Sequence, residues 1–308
     1  MQRNNLYEQV TIAIPVYERT DFFNEAIESA LNQTVKCTIV VVDNASSHTY
    51  FKDYIEKLDN PRVKYFRNDQ NLGMVGNWNR CIEVAQTPYL SILNDDDVLH
   101  PQFLERVFPI LDEKEMVVCA NYSMGPVTAA EFYSSHHQGG LNFTTFKLSS
   151  FLFGNLTPSV GAIFPVSVAR EIGGYEQYYY PAQDYHFWIK MAKRIPVLRG
   201  AEKLSFYRIS ENQTSNTVFY QIVGKTFEIR RQIASFAKFQ TLSILNLYYL
   251  YKFYLKNSAV LRDDSNLSAE LASQFARIDR VCKGKAGAFI IKGGYHLSLR
   301  ILGIFKVI

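Results

Sequence analysis

Two short β-branched apolar runs, Val10 to Val16 (VTIAIPV) and Cys37 to Val42 (CTIVVV), bracket a segment whose Phe22, Phe23, Ala26, Ile27, Ala30 and Leu31 recur at helical intervals. Strand, helix and strand in this order close most simply as a βαβ unit, with the strands parallel and the helix packed on one face. The alternation continues through a helical pattern at Phe51 to Leu58, a strand at Arg62 to Phe66, a helix around Asn77 to Ala85 and a strand at Tyr89 to Leu93. The expected fold is α/β, with a mostly parallel central sheet flanked by helices.

In open sheets of this class, ligands bind beyond the carboxyl ends of the strands. Tyr17, Asp43 and the triplet Asp95-Asp96-Asp97 all fall at such ends, so three separated polar features converge on one edge. Three adjacent carboxylates repel one another and resist desolvation unless a cation or a solvated turn relieves them. Hard oxygen ligands on a short loop suit Mg²⁺ or Mn²⁺. The plainer alternative is a polar turn capping a helix that begins near Pro101, for which one acid would be enough.

A chain of 308 residues suits one large α/β domain with a smaller appendage. Its 47% hydrophobic share supports a sizeable core, and a formal net charge of +4 implies no nucleic-acid partner. Cys37, Cys81, Cys119 and Cys282 stand far apart with no CxxC pair, as reduced core cysteines do. Met1 to Gln9 lacks the apolar core of an export signal, and no apolar stretch reaches the roughly eighteen residues of a membrane span. A cytoplasmic protein is expected.

From Asn121 to Ser150 the pattern weakens around Gly125-Pro126 and Gly139-Gly140, which predicts an extended, irregular connection of the kind that holds substrate. His136-His137 reads as a solvated pair within it. Beyond Thr214 the chain turns helical, aromatic and basic, so a boundary is placed near Thr217, separating residues 1–216 from a helical extension, 217–308. Cys282 to Ile308 carries Lys283, Lys285, Lys292, Arg300 and Lys306 without an acid, among many apolar residues. That composition suits a helix on an anionic membrane surface, or else a terminal helix packed on the core with its lysines solvated.

Six motifs stand in order: Pro15-Val16-Tyr17, Val42-Asp43-Asn44-Ala45-Ser46, Asn71-Leu72-Gly73, Asn94-Asp95-Asp96-Asp97, Gly173-Gly174-Tyr175 and Gln183-Asp184-Tyr185. Over roughly its first 210 residues the chain resembles a family 2 glycosyltransferase of the Rossmann-like GT-A fold, similar to those of bacterial surface-polysaccharide synthesis. The resemblance implies inverting transfer of a sugar from a nucleoside diphosphate sugar to a hydroxyl, assisted by Mn²⁺ or Mg²⁺. No Gln-x-x-Arg-Trp segment, the mark of processive synthases, is present, so one sugar per encounter is expected.

The resemblance puts Pro15, Tyr17, Arg19, Asp43, Asn44, Asn71, Gly73, Asn94, Asp95 and Arg208 at the nucleotide sugar, and Asp96, Asp95 and Asp97 at the cation. Tyr17 offers a face for a nucleobase to stack on, and Asp43 and Asn44 can bond base or ribose edges; alternatively Tyr17 packs beside the sheet and Asp43 caps a turn. Asn94 stands where the family's first acid usually stands. Asp184 matches the family's base, which takes the acceptor's proton; an N-cap is its ordinary alternative. Gln183 replaces a Glu carried by many relatives. Arg208 is expected either to clamp the diphosphate or to form an ordinary ion pair, and Ser210 replaces a frequent His.

The expected acceptor is a lipid-linked glycan, reached at the inner face of the cytoplasmic membrane through the basic C-terminal region. Two other readings compete. A sugar nucleotidyltransferase would need a glycine-rich phosphate loop after the first strand, and Ile14 to Arg19 has no glycine. A non-catalytic subunit that binds sugar nucleotides or glycans would have little use for the acidic triplet and Asp184.

Overall fold

The structure, a computed structural model, describes residues 8–111, 115–125, 132–133, 142–157, 160–209 and 219–236. Strands β1 (Val10–Val16) and β2 (Thr38–Asp43) are buried along their whole length and run parallel, Thr11 opposite Thr38 and Val16 opposite Asp43. Burial on both faces is why these runs are continuously apolar. Helix α1 (Phe23–Leu31) crosses between them and buries Phe23, Ala26, Ile27 and Ala30. Helix α2 (Tyr50–Leu58) leads to β3 (Val63–Arg67), and α3 (Gly73–Val84) leads to β4 (Tyr89–Ile92).

The strand order β3-β2-β1-β4 is parallel throughout. The chain winds outward from β1 to β3 and then returns to the other side of β1. That reversal makes the crevice between the ends of β1 and β4 the topological switch point, where ligands of such sheets bind.

Beyond β4 the sheet becomes mixed. β4 is followed by a tight turn into β5 (Val98–Leu99) and not by a crossover helix, and a strand that lacks a crossover cannot re-enter in parallel. β8 (Ala162–Pro165) lies antiparallel to both β4 and β6 (Val117–Gly125). β9 (Val197–Arg208) runs parallel to β6, and both β5 and β7 (Phe143–Phe146) pair antiparallel with β9. The expectation of a mostly parallel sheet thus describes β1 to β4, and the second half is mostly antiparallel, with β6 and β9 as a parallel pair.

Where Asn121 to Ser150 was expected to be irregular, the structure has the end of β6, all of β7 and the start of a 3₁₀ turn, Leu148–Phe153. Asn121, Tyr122 and Ser123 have no apolar pattern to mark them, but they ladder against Lys203 to Phe206, with a register slip on either side of Asn121. His136-His137 lies outside the described residues.

Three further helices stand between β5 and β9: α4 (Phe103–Val107), α5 (Val166–Glu171) and α6 (Gln183–Ala192). The chain divides into two compact units, Met1–Lys147 with Thr157–Gln213, and Leu148–Leu156 with Thr214–Ile308. All nine strands among the described residues belong to the first. In the second, Phe151 and Leu152 of the 3₁₀ turn are buried, as are Ile229 and Ile233 one turn apart on α7 (Phe219–Phe236). No helix among the described residues is long and apolar enough to cross a membrane. The basic segment from Cys282 to Ile308 lies outside the described residues.

Candidate active site

Past β4 the Leu93 N–H still donates to Ala13, 2.9 Å away, and the chain then reverses as the Asp97 N–H donates to the Asn94 carbonyl at 3.2 Å. This is a β-turn with Asp95 and Asp96 at its two central positions. Its base is tied by the Asn94 amide, which donates to one Asp97 oxygen at 2.9 Å, while the Arg208 backbone N–H donates to the other at 3.0 Å. Asp97 is only 1% exposed. Burial, and then the Asp96 charge beside it, hold its carboxyl well above the usual carboxylate range.

Asp97, expected as a cation ligand, therefore anchors the turn. The asparagine at position 94 acquires a reason as well: its amide donates to a buried carboxylate that a second acid would oppose. Arg208 completes the support, its Nε donating to the Asp96 carbonyl at 2.9 Å and its guanidinium pairing with Glu25 at 2.8 Å over the Phe22 ring. The structure holds the ion pair and not a free clamp. Ser29 of α1 accepts the Leu99 N–H through its hydroxyl, and the buried Gln33 amide, just past the end of α1, donates to the His100 carbonyl while accepting the Leu104 N–H. The end of this helix and the residues after it thereby fix the chain that leaves the turn.

The remaining two acids of the turn face a cation already. The Arg19 guanidinium hydrogen-bonds to Asp95 and lies 2.9 Å from Asp96. Burial pushes the Asp95 carboxyl up to about 6, even though Arg19 pulls the other way. Arg19 is aimed by a γ-turn in which its N–H donates to the Tyr17 carbonyl at 2.6 Å around Glu18, whose φ is +55°. Positive φ is strained for a glutamate and persists only where neighbours enforce it. Here the Glu18 carboxylate accepts the Ser47 N–H and hydroxyl, and the Glu18 N–H donates to the Ser46 hydroxyl.

The other expected nucleotide contacts separate by burial. Tyr17 is 44% exposed, free to offer a ring face. Asp43 is completely buried and accepts four hydrogen bonds, from the Ser46 N–H and hydroxyl, the Tyr65 hydroxyl and Arg67. Asn44 is equally interior: it accepts from Asn68 and the Leu72 N–H, and donates to Asn71 and the Gly73 carbonyl. These two residues shape the loops. Pro15 is buried inside β1, whereas Asn71 and Gly73 are exposed, with Gly73 at φ +70°. Arg67, missed by the sequence reading, keeps 42% of its side chain exposed beside Asp43. Its signal was available, since a basic residue ends β3 directly opposite the Asp43 that ends β2.

Asp184 enters on α6, which buries Gln183, Tyr185, His186, Phe187, Trp188, Ile189 and Met191. The N-cap is Ala182, so Asp184 occupies the first turn and is not the cap. The approach to α6 is fixed by Asn79 of α3, whose amide accepts the Tyr175 N–H at 2.8 Å and donates to the Tyr175 carbonyl at 2.9 Å. That contact requires Gly174, because a Cβ there would meet the Asn79 oxygen at 2.4 Å. Tyr175 then stacks on Phe187 at 4.1 Å. Gln183 is buried with its amide nitrogen against the Met74 sulfur, at 3.3 Å.

Tyr207 links the two acidic elements. Burial, followed by the negative charges of Asp97, Asp96 and Asp184, pushes its phenol up to about 12. One hydroxyl group thus feels the aspartate turn and Asp184 together, and it stays protonated at any ordinary pH. Among the described residues no group of three or more His, Cys, Asp or Glu side chains is arranged to hold a metal ion. Two carboxylates on one turn still fit Mg²⁺ or Mn²⁺, which commonly take one or two protein carboxylates and complete their shell from substrate phosphates.

Comparison with known proteins places this geometry. An uncharacterised glycosyltransferase of Rickettsia typhi is 28% identical over 72% of this chain and 70% of its own length. A glycosyl transferase of Escherichia coli K12, named for colanic acid biosynthesis, is 30% identical over 41% of this chain and 45% of its own. Among solved structures, S. aureus TarS 1–349 with UDP-GlcNAc superposes with a TM-score of 0.59 at 16% identity, covering 88% of this chain and 79% of that one. The mannosyltransferase PcManGT of Pyrobaculum calidifontis, with GDP-Man and Mn²⁺, also gives 0.59 at 13% identity, over 98% and 88%. These two share the GT-A fold with this chain. The model of Glycosyl transferase family 2 matches residues 11–172, from β1 through the aspartate turn to the end of α5, and the chain belongs to that family.

Proposed function

We propose that this glycosyltransferase moves one sugar from a nucleoside diphosphate sugar to a hydroxyl of a glycan acceptor, with inversion and with a divalent cation held by Asp95 and Asp96. The observation that carries the reading is the turn at the β1–β4 switch point, which sets Asp95 and Asp96 side by side facing Arg19. Asp184, whose charge acts with those of Asp96 and Asp97 on the Tyr207 phenol, is the separate carboxylate of the reading. The acceptor oxygen attacks the anomeric carbon as the bond to the diphosphate breaks, its electron pair leaving on the phosphate oxygen, and the hydroxyl proton passes to Asp184. A bound Mg²⁺ or Mn²⁺ supplies Lewis-acid neutralisation of the charge on the departing diphosphate. Tyr17 stacks on the nucleobase, and Arg67 lies near enough to the Tyr17 loop to reach the nucleoside.

Residues 1–216 form the catalytic part in this reading, and 217–308 bring it to the inner face of the cytoplasmic membrane, where the acceptor is lipid-linked. Support for the acceptor is the colanic acid name of the E. coli relative and the basic, apolar composition of Cys282 to Ile308. The solved neighbours hold a uridine and a guanosine donor. The test is a thermal-shift panel of UDP-, GDP- and dTDP-sugars with and without Mn²⁺, followed by nucleoside diphosphate release for wild type and Asp184→Asn. Asp184→Asn should keep the ligand shift and lose about 10²- to 10⁴-fold in turnover. Equal background release from both would leave a non-catalytic binding subunit. Washing membranes with high salt should release the protein, and exclusively soluble material would remove the membrane part of the proposal.

A further inference from the structure

We propose that Arg19 is a built-in placeholder for the divalent cation, occupying the Asp95 and Asp96 carboxylates in the ligand-free protein and passing to the diphosphate when the cation arrives. This inference rests on the sugar-transfer reading of the same site. Two carboxylates at adjacent positions of a tight turn repel each other, and the Arg19 guanidinium, bonded to Asp95 and 2.9 Å from Asp96, relieves them. Arg19 and a metal ion cannot both hold the same oxygens.

The two arginines at this turn are built differently. Arg208 is buried beneath the turn, bonded to a backbone carbonyl and Glu25 and packed on Phe22, so its position is fixed. Arg19 keeps 33% of its side chain exposed, sits on a loop, and among the described residues pairs with those two acids. Displaced from them, it remains at the β1–β4 crevice with a fork of donors suited to two phosphate oxygens. A diphosphate therefore gives Arg19 somewhere to go, and cation and nucleotide should bind cooperatively.

The experiment uses the full chain. Free Mn²⁺ is followed by electron paramagnetic resonance, and UDP, GDP and dTDP binding by calorimetry with and without Mn²⁺. Arg19→Met should bind Mn²⁺ alone about 5- to 100-fold more tightly than wild type, while UDP or GDP in saturating Mn²⁺ binds more weakly by a similar factor. Arg19→Lys, which keeps the charge, should stay within about threefold of wild type for Mn²⁺ alone and controls for folding. Mn²⁺ affinity that is unchanged or weaker in Arg19→Met overturns the placeholder role, and does so without touching the sugar-transfer reading if wild type binds both ligands. If no form of the protein binds Mn²⁺ with UDP, GDP or dTDP, both the reading and the inference fall.

Discussion

Replacing Asn94 by aspartate restores the acid that relatives usually carry at this position, and the structure predicts that it breaks the turn that it would be expected to improve. The Asn94 amide donates to the buried Asp97 carboxylate at 2.9 Å. Losing a hydrogen bond to this buried carboxyl costs about 0.5–3 kcal/mol, the upper figure where the acceptor is charged. Burial already holds Asp97 above its ordinary range, and a second carboxyl at that separation raises the pair further because both cannot ionise; the added cost of keeping the proton at pH 7 is at most about 4 kcal/mol, the full three units or so above the ordinary titration point. The shared proton restores one O–H···O bond and offsets part of the loss, leaving about 2–4 kcal/mol at pH 7. The native form retains a proton that the unfolded chain releases, so the penalty is small below pH 4 and grows as pH rises. For a unit of about 200 residues this is a fall in Tm of about 5–15 °C at neutral pH. Thermal and urea unfolding of wild type and Asn94→Asp, at pH 4.5 and 7.5 without divalent cations, measure it. Equal stability at pH 7.5 would refute the reasoning, and equal stability with tighter Mn²⁺ binding would make position 94 part of the cation site.

Tyr17→Ala should weaken UDP or GDP binding about 5- to 100-fold, the worth of one base stacked on an aromatic ring, with melting unchanged because the ring is exposed; unaltered affinity by calorimetry would remove Tyr17 from the nucleotide. Burial works against ionisation of Glu176, yet its hydrogen bond to Lys190 and the His186 charge hold it below the usual glutamate range. The stabilisation is therefore present above pH 4.5 and lost as pH falls through the lowered value, so Lys190→Met should narrow the difference in melting temperature between pH 7 and pH 4. An undiminished difference would show that the Glu176–Lys190 pair contributes nothing to that pH dependence.

The parallel half of the sheet is legible in the sequence because β1 and β2, buried on both faces, write themselves as unbroken β-branched runs, and because the strands from β1 to β4 are joined in turn by amphipathic helices. β6 and β7 were not legible. Their partner is β9, so the pairing that makes Asn121 to Ser123 a strand lies about eighty residues away. The same distance hides the polar contacts. Arg19 meets its acid 76 positions on, and Arg208 reaches Asp97 across 111. A residue type and a spacing announce that such groups exist, but not which of them will find each other.

The consequence for the site is a sorting that motif matching cannot perform. Asp43, Asn44 and Asp97 belong to the motifs as fully as Tyr17, Asp95 and Asp96 do, yet the first three spend their lone pairs inside the protein. A buried acid with all its acceptors engaged shapes a loop, and removing it unfolds that loop before it alters any contact with a ligand. The acids left over on the turn are paired with a partly exposed arginine, which in the proposed mechanism yields them to an incoming cation. Substitutions at the two sets should therefore diverge: Asp43→Asn or Asp97→Asn should register first as lost stability, and Asp95→Asn or Asp96→Asn as lost cation and donor binding in a protein that melts near the wild-type temperature.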